Sequence, residues 1–217
     1  MLLLALLAVL GLQEEPPIPL EELRWNVRPT FTEITKRVVV YARAADFPRC
    51  AKSADLLLEY RHRLDRHDGR SIYLDPLGDA LARQDAAAIQ AGVQVLVRAD
   101  IGFLVAHLRD DPTRTGATPR TLVLMLKQDA EFLMLFLPPG EQGEDVRKVL
   151  TKLVESLARA VPSHINYERD EGGWKVEAAG LSARLIQVLD QAFPDSKPPA
   201  APAPAPGADA ADRRSDG

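Results

Sequence analysis

Two alternating segments near the C-terminal end constrain the fold of this 217-residue chain more than any other feature. Apolar and polar residues alternate over 165–169 and again over 174–178, with the residues DEGG between them at 170–173. Such alternation around a connection containing glycine predicts a β-hairpin. A lone two-stranded hairpin is only marginally stable in water, so further strands or a helix must cover its apolar face.

The segment 121–137, TLVLMLKQDAEFLMLFL, is the best candidate for those additional strands. Its two apolar runs flank a polar centre, as in two buried strands joined by a turn, although the preceding Thr118-Pro119 also suits a helix start. We therefore predict an α+β fold in which 121–126, 131–137 and the hairpin form a four-stranded antiparallel sheet. The alternative is an all-α bundle that carries one β-hairpin.

Apolar residues recur at helical spacing in the rest of the domain and predict an N-terminal layer of about three helices and two C-terminal helices. Thr30 and Glu33 have the spacing of a capping box, which places the start of the first helix at Thr30. The third helical stretch is expected to break at Gln84, where Asp85 can cap a new helix. The predicted helical stretches are 30–45, 48–69, 75–109 with this break, 144–160 and 181–193.

The chain divides into four predicted parts. Residues 1–13 are a predicted signal peptide, 14–29 an extended lead-in, 30–193 a single α+β domain and 194–217 an Ala/Pro-rich tail. The prolines of the lead-in oppose helix formation. Alternating Ala and Pro cannot build a core and favour extended polyproline II, so the tail is predicted to be disordered.

Export is predicted from the unbroken apolar run Met1–Leu12. The run is too short to cross about 30 Å of hydrocarbon, which takes about 20 apolar residues. It matches the apolar core of a signal peptide instead, although the usual basic residues do not precede it. We therefore expect a periplasmic or extracellular protein, the alternative being that the run is retained as an N-terminal apolar helix.

The net charge of −4 argues against a globally basic nucleic-acid binder, so no nucleic-acid partner is expected. Charge is nevertheless uneven, because 24–70 contains 11 basic and 6 acidic residues. This stretch could contact anionic lipid headgroups in a peripheral membrane association or an acidic partner, and it would equally be the solvated face of two helices.

Another hypothesis is a helical enzyme whose Arg61–Arg70 segment binds an anionic substrate.

Four residues are candidate metal ligands: Glu59, His62, Asp100 and His107. Glu59 and His62 have the Glu-x-x-His spacing that puts two ligands on one helix face in di-metal bundles, and this ligand set suits iron, manganese or zinc. The sequence lacks a second Glu-x-x-His. The structural alternative is that Glu59 and His62 face water while Asp100 and His107 form hydrogen bonds within the core.

Binding is the expected function, because the sequence contains no Gly-x-Ser-x-Gly elbow, phosphate-binding Gly-rich loop or Cys-x-x-Cys pair. Met125, Met134 and Phe136 would line an apolar pocket on the predicted sheet, although such residues are also ordinary core. We expect a non-catalytic protein of the cell envelope, without a cofactor, that binds a partner protein or a small apolar ligand. The alternative is a helical metal-binding or redox protein.

The single cysteine, Cys50, cannot form an intramolecular disulfide, so the fold must depend on its core.

Overall fold

The computed structural model describes residues 27–59, 74–109, 118–161 and 173–196. These ranges contain seven α-helices and a short 3₁₀ turn, and no strand occurs within them. The helices are α1 (Val27–Arg43), α2 (Phe47–Glu59), α3 (Leu74–Ala82), α4 (Ala86–Arg109), α5 (Pro119–Met134), α6 (Glu141–Ala160) and α7 (Gly173–Ala192), and the 3₁₀ turn is Pro194–Ser196.

The predicted α+β fold is wrong, because the segment assigned to two strands is one helix. Residues 121–126 and 131–134 lie within α5, and the backbone N–H groups of 135–137 donate to carbonyls three residues earlier, so the winding continues past Met134. Thr118 caps this helix, since its hydroxyl oxygen accepts a hydrogen bond of 3.1 Å from the backbone N–H of Thr121. The helix-start signal at Thr118-Pro119 is therefore confirmed, and the two apolar runs that follow it need an explanation other than strands.

The apolar runs of 121–137 are explained by burial on several sides of one helix. α5 packs against α1, α4 and α6, and its exposed residues are confined to a narrow face. A helix covered in this way carries consecutive apolar residues, which periodicity alone cannot distinguish from a buried strand.

The second predicted strand of the hairpin, 174–178, is also helical, because α7 begins at Gly173. Trp174, Ala178, Ser182, Leu185 and Leu189 are its buried residues, and they recur every three or four positions. The other predicted strand, 165–169, lies outside the described residues. Of the two architectures weighed from the sequence, the all-α bundle agrees with the described helices, but the hairpin assigned to it is wrong as well, because 174–178 belongs to α7.

The other described helix bounds lie within three residues of the predicted ones, except that α7 begins at Gly173 rather than at 181, and the predicted end of the second helix at 69 lies outside the described residues. The predicted break at Gln84-Asp85 is confirmed by the separation of α3 from α4. α1 begins at Val27 rather than Thr30, so the last three residues of the predicted lead-in are helical. The 3₁₀ turn Pro194–Ser196 contacts α4 and α7 and therefore belongs to the folded part. The predicted signal peptide and residues 197–217 lie outside the described residues.

The helices form two groups of four that share α4. Each helix contacts the next one along the chain, and α4 contacts both α1 and α7 as well. We call α1–α4 the N-terminal group and α4–α7 the C-terminal group. α1 also contacts α5, which joins the groups a second time.

α4 is the one helix among the described residues that is long and apolar enough to span a membrane by length and composition. It contacts α1, α3, α5 and α7, and its buried residues run from Ile89 to Leu108. Its position in both groups explains its apolar composition through core packing.

The corner between α1 and α2 is closed by local hydrogen bonds. Ala45 has a left-handed backbone with φ of 57°, and the N–H of Asp46 donates to the carbonyl of Tyr41 at 2.9 Å. The Asp46 carboxylate then accepts a bond of 3.3 Å from the backbone N–H of Arg49. A left-handed helix end is thus followed at once by the N-cap of the next helix.

The corner between α3 and α4 has the same construction. Gln84 has φ of 53°, and the N–H of Asp85 donates to the carbonyl of Ala80 at 3.1 Å. The Asp85 carboxylate accepts a bond of 3.0 Å from the backbone N–H of Ala88. The pairs α1–α2 and α3–α4 are therefore joined by one repeated turn whose shared side chain is the aspartate.

The connection between α5 and α6 requires glycine twice. Gly140 has φ of 108°, which side chains rarely adopt. A Cβ atom at Gly143, in the first turn of α6, would lie 2.0 Å from the carbonyl oxygen of Pro138. The Pro138-Pro139 turn can therefore fold back on α6 only because Gly143 has no side chain.

Candidate functional site

The predicted pocket residues lie in helix contacts rather than on a sheet. Met125 and Met134 are buried on α5, and Phe136 is half-buried just beyond its end. The Thr151 hydroxyl on α6 donates to the sulfur of Met134 at 3.9 Å. The rings of Phe132 and Phe136 meet edge to face with centroids 5.2 Å apart. The sheet that was to form the pocket floor is replaced by α5, which removes the structural basis for a pocket there.

Of the four candidate metal ligands, the structure describes the side chains of two. Asp100 is buried on α4, and His107 is half-buried on the same helix with its ring edge-to-face to Phe103 at a centroid distance of 4.2 Å. Glu59 is the last residue of α2, and His62 lies outside the described residues. Within the four described ranges, no group of three or more His, Cys, Asp or Glu side chains is placed to hold a metal ion.

Five large apolar side chains are exposed in the described part of the chain, and three of them lie on α1 and at α5, while Val149 on α6 is 41% exposed and Val176 on α7 is 76% exposed. Val40 is 61% exposed, Leu124 is 54% exposed and Leu135 is 59% exposed. These three residues define what we call the α1–α5 surface. None of them was singled out from the sequence, because Val40 lies outside the predicted apolar stripe of the first helix and the two leucines were assigned to predicted buried strands.

An arginine contact fixes one end of the α1–α5 surface. The guanidinium carbon of Arg43 lies 5.1 Å from the centroid of the Phe136 ring, and its Nε donates to the side-chain oxygen of Gln90 at 3.0 Å. The C-terminal ends of α1 and α5 therefore meet at the N-terminal end of α4. Val40 lies within one turn of Arg43, and Leu135 directly precedes Phe136.

A buried hydrogen bond also fixes α1 against α5. The Thr32 hydroxyl donates to a carboxylate oxygen of Asp129 at 2.9 Å, and both residues are buried. A carboxylate inside the core is costly unless it is hydrogen-bonded, so sliding one helix past the other would be penalised. The pair therefore fixes how the two halves of the surface are aligned.

A second buried polar contact joins α4 to α7. Arg98 is only 3% exposed, and its Nη2 donates to the carboxylate of Asp190, which is partly open to solvent. Burial lowers the pKa of the Arg98 guanidinium, and the Asp190 carboxylate partly opposes that shift. The Nε and Nη1 groups of Arg98 are buried and have no acceptor among the described residues.

The sequence carried a signal for this contact that our interpretation did not use. Arg98 and Asp190 both fall in predicted helices, and Arg98 is flanked by apolar residues of the α4 core. A charged residue inside an apolar stripe indicates a buried ion pair, but its partner cannot be identified before the helices are placed.

These features define the described part of the chain as an all-α fold built of two groups of helices around a shared central helix. Comparisons with protein-family models, with curated proteins and with solved structures find no match for this chain.

Proposed function

We propose that this protein is a non-catalytic binding protein that contacts a partner protein through the α1–α5 surface. The observation that carries the proposal is the exposure of Val40 on α1, of Leu124 on α5 and of Leu135 directly after α5, since these two helices are in contact. Single exposed apolar residues are normal, whereas several on adjoining helices are typical of interaction sites. The small apolar ligand considered from the sequence is not part of this proposal, because its expected site depended on the sheet.

The charges around the surface indicate the chemistry of the partner. Lys36 and Arg43 flank Val40 on the exposed side of α1. On α5, Lys127 lies between the two exposed leucines and pairs with Glu131 at 3.7 Å. An apolar surface with a mostly basic rim is complementary to a partner with apolar residues bordered by acidic ones. The rim would orient the partner, and the apolar side chains would provide most of the binding free energy.

Site-specific photo-crosslinking in cells of the source organism tests the proposal. A photo-reactive residue replaces Val40, Leu124 or Leu135 in turn, and the matched controls carry it at Lys152 on α6 or Arg184 on α7, which are also exposed. We expect one adduct of the same mass at the three surface positions and none at the controls. Adducts at all five positions, or at none, would contradict a specific partner at this surface.

A charge substitution provides a second test that does not depend on crosslinking chemistry. Val40→Asp combined with Leu135→Asp places two charges on the surface at positions where the folded chain already exposes the side chain. Folding should be retained, as checked by circular dichroism and thermal melting, while the adduct at position 124 disappears. An unchanged adduct in a folded double variant would show that the partner binds elsewhere.

Export is a further part of the proposal, and it rests on the apolar run Met1–Leu12. Fractionation of cells expressing the full chain and a variant lacking 1–13 tests it. The full chain should appear outside the cytosol with a shortened N-terminus, and the variant should stay inside. An uncleaved full chain in the cytosolic fraction would remove the cell envelope from the proposal and leave the binding surface untouched.

A further inference from the structure

Buried polar groups without a protein acceptor are concentrated where α7 packs. They are the Nε and Nη1 groups of Arg98, which faces α7 through Asp190, and on α7 itself the indole N–H of Trp174 and the hydroxyl of Ser182. A buried donor that loses its hydrogen bond to water and gains none in the fold destabilises the folded state.

These groups extend along most of α7 rather than forming one cluster. Trp174, Ser182 and Asp190 are spaced eight residues apart, about 12 Å along a helix axis at each step. One small ligand cannot reach all of them. The buried donors without acceptors are therefore a feature of the whole interface between α7 and its neighbours α4 and α6, and not of one local site.

The ion pair at the C-terminal half of α7 adds to this weakness. Asp190 is partly solvent-accessible, whereas Arg98 is almost fully buried, so only the carboxylate recovers hydration easily when the pair separates. Replacing a buried ion pair with apolar residues of similar size often leaves a protein equally or more stable. The Arg98–Asp190 pair therefore fixes the position of α7 on α4 more than it stabilises their contact.

The corresponding contact of α5 is different. α5 packs against three other helices, and its buried Asp129 accepts the Thr32 hydroxyl, although the Oε1 atom of Gln128 on the same helix is also buried without a hydrogen-bond partner. α7 packs against α4 and α6 and leaves Val176 76% exposed. The two helices therefore differ in how much of their surface the fold covers.

We propose that α7 is a releasable helix, which separates from α4 and α6 as a unit while the remaining helices stay folded. Its release exposes the buried Leu185 and Leu189 and uncovers the faces of α4 and α6 against which α7 packs. This conformational device is independent of the proposed partner at the α1–α5 surface.

Native-state hydrogen exchange of the full chain, followed by mass spectrometry at low denaturant concentrations, tests the proposal. Amides of α7 should exchange at least about tenfold faster than those of α4 and α6, the ratio that one unsatisfied buried donor corresponds to. Equal protection of α7 and α6 would overturn the proposal, since opening would then be global.

Two sets of variants link the exchange to the polar groups. Arg98→Met with Asp190→Leu, and separately Ser182→Ala, should slow exchange in α7 and leave α1 and α2 unchanged. The control is Lys127→Met with Glu131→Leu, which removes an exposed pair on α5 and should leave α7 unchanged. If the α4–α7 variant fails to fold, Ser182→Ala still tests the proposal. A folded variant in which α7 exchanges as fast as before would overturn it.

Discussion

The N-terminal and C-terminal groups share α4 but are held together by different means. In the N-terminal group, each consecutive helix pair with a described corner uses a left-handed residue followed by a capping aspartate, Asp46 or Asp85. In the C-terminal group, the described corner depends on the missing side chain of Gly143, and α7 is joined to α4 through Arg98 and Asp190. Local chemistry therefore determines the first group, whereas close approach and burial determine the second.

The largest expected effect is at the glycine corner of the C-terminal group. Gly143→Ala places a Cβ atom 2.0 Å from the Pro138 carbonyl oxygen, so backbone must move. We expect the free energy of unfolding to fall by roughly 3 kcal/mol, as for other severe steric substitutions. Denaturant unfolding measures it.

Gly102→Ala is the matched control, because a Cβ atom at that exposed position of α4 meets nothing within 4 Å. Alanine has the higher helix propensity, so this variant should gain up to about 1 kcal/mol. If Gly102→Ala lowers the free energy of unfolding as much as Gly143→Ala does, the close approach of the Pro138 carbonyl is not the cause of the loss at Gly143.

The next largest effect is expected at the contact that joins the two groups. Thr32→Val removes the donor to Asp129 while preserving side-chain shape. The buried carboxylate loses a hydrogen bond, and we expect a loss of about 2 kcal/mol. The double change Thr32→Val with Asp129→Leu should recover part of that loss, because the carboxylate itself is then absent. If the single variant melts like the parent chain, this bond does not align α1 with α5.

The two aspartate corners should respond equally. Asp46→Ala and Asp85→Ala each remove one N-cap, and each should cost about 1 kcal/mol in thermal unfolding experiments. The sites are far apart in sequence and share no hydrogen-bond partner, so the double variant should show the sum. A large difference between the single variants would indicate that the corners resemble each other only in geometry.

The smallest effect concerns the buried thiol of the N-terminal group. The Sγ–H of Cys50 donates to the carbonyl of Val38 at 3.3 Å, and burial together with the charge of Asp46 raises the pKa of the thiol above its ordinary value of 9.0. The folded state keeps this proton when the unfolded state loses it, so stability should decrease slightly as the pH rises above 9.0.

Thiol labelling measures the same property. At pH 8, Cys50 should react with an alkylating agent far more slowly in the native protein than in denaturant, because the thiol is buried and protonated. The Cys50→Ala variant should lose the pH-dependent part of the stability change. Fast native labelling would mean that the α1–α2 pair opens as readily as we propose for α7.

Much of the helical framework could be predicted from the sequence, because its signals are local. The break at Asp85 and the stripes of α6 depend on side chains within one or two turns of each other. The candidate site could not be predicted in the same way. Whether Val40 or Leu135 stays exposed depends on where neighbouring helices end. The ion-pair partner of Arg98 could not be identified either, because Asp190 is 92 residues away in the sequence.

The sequence by itself determined the helix starts and corners, through Thr118-Pro119 and the two capping aspartates, since these bonds close within a few residues. Only the tertiary structure decided the state of 121–137 and 174–178. Apolar runs and short alternations suit a strand or a helix equally until the number of covered sides is known. α1, α4 and α6 surround α5, whereas α4 and α6 cover one stripe of α7, and that coverage made both segments helical.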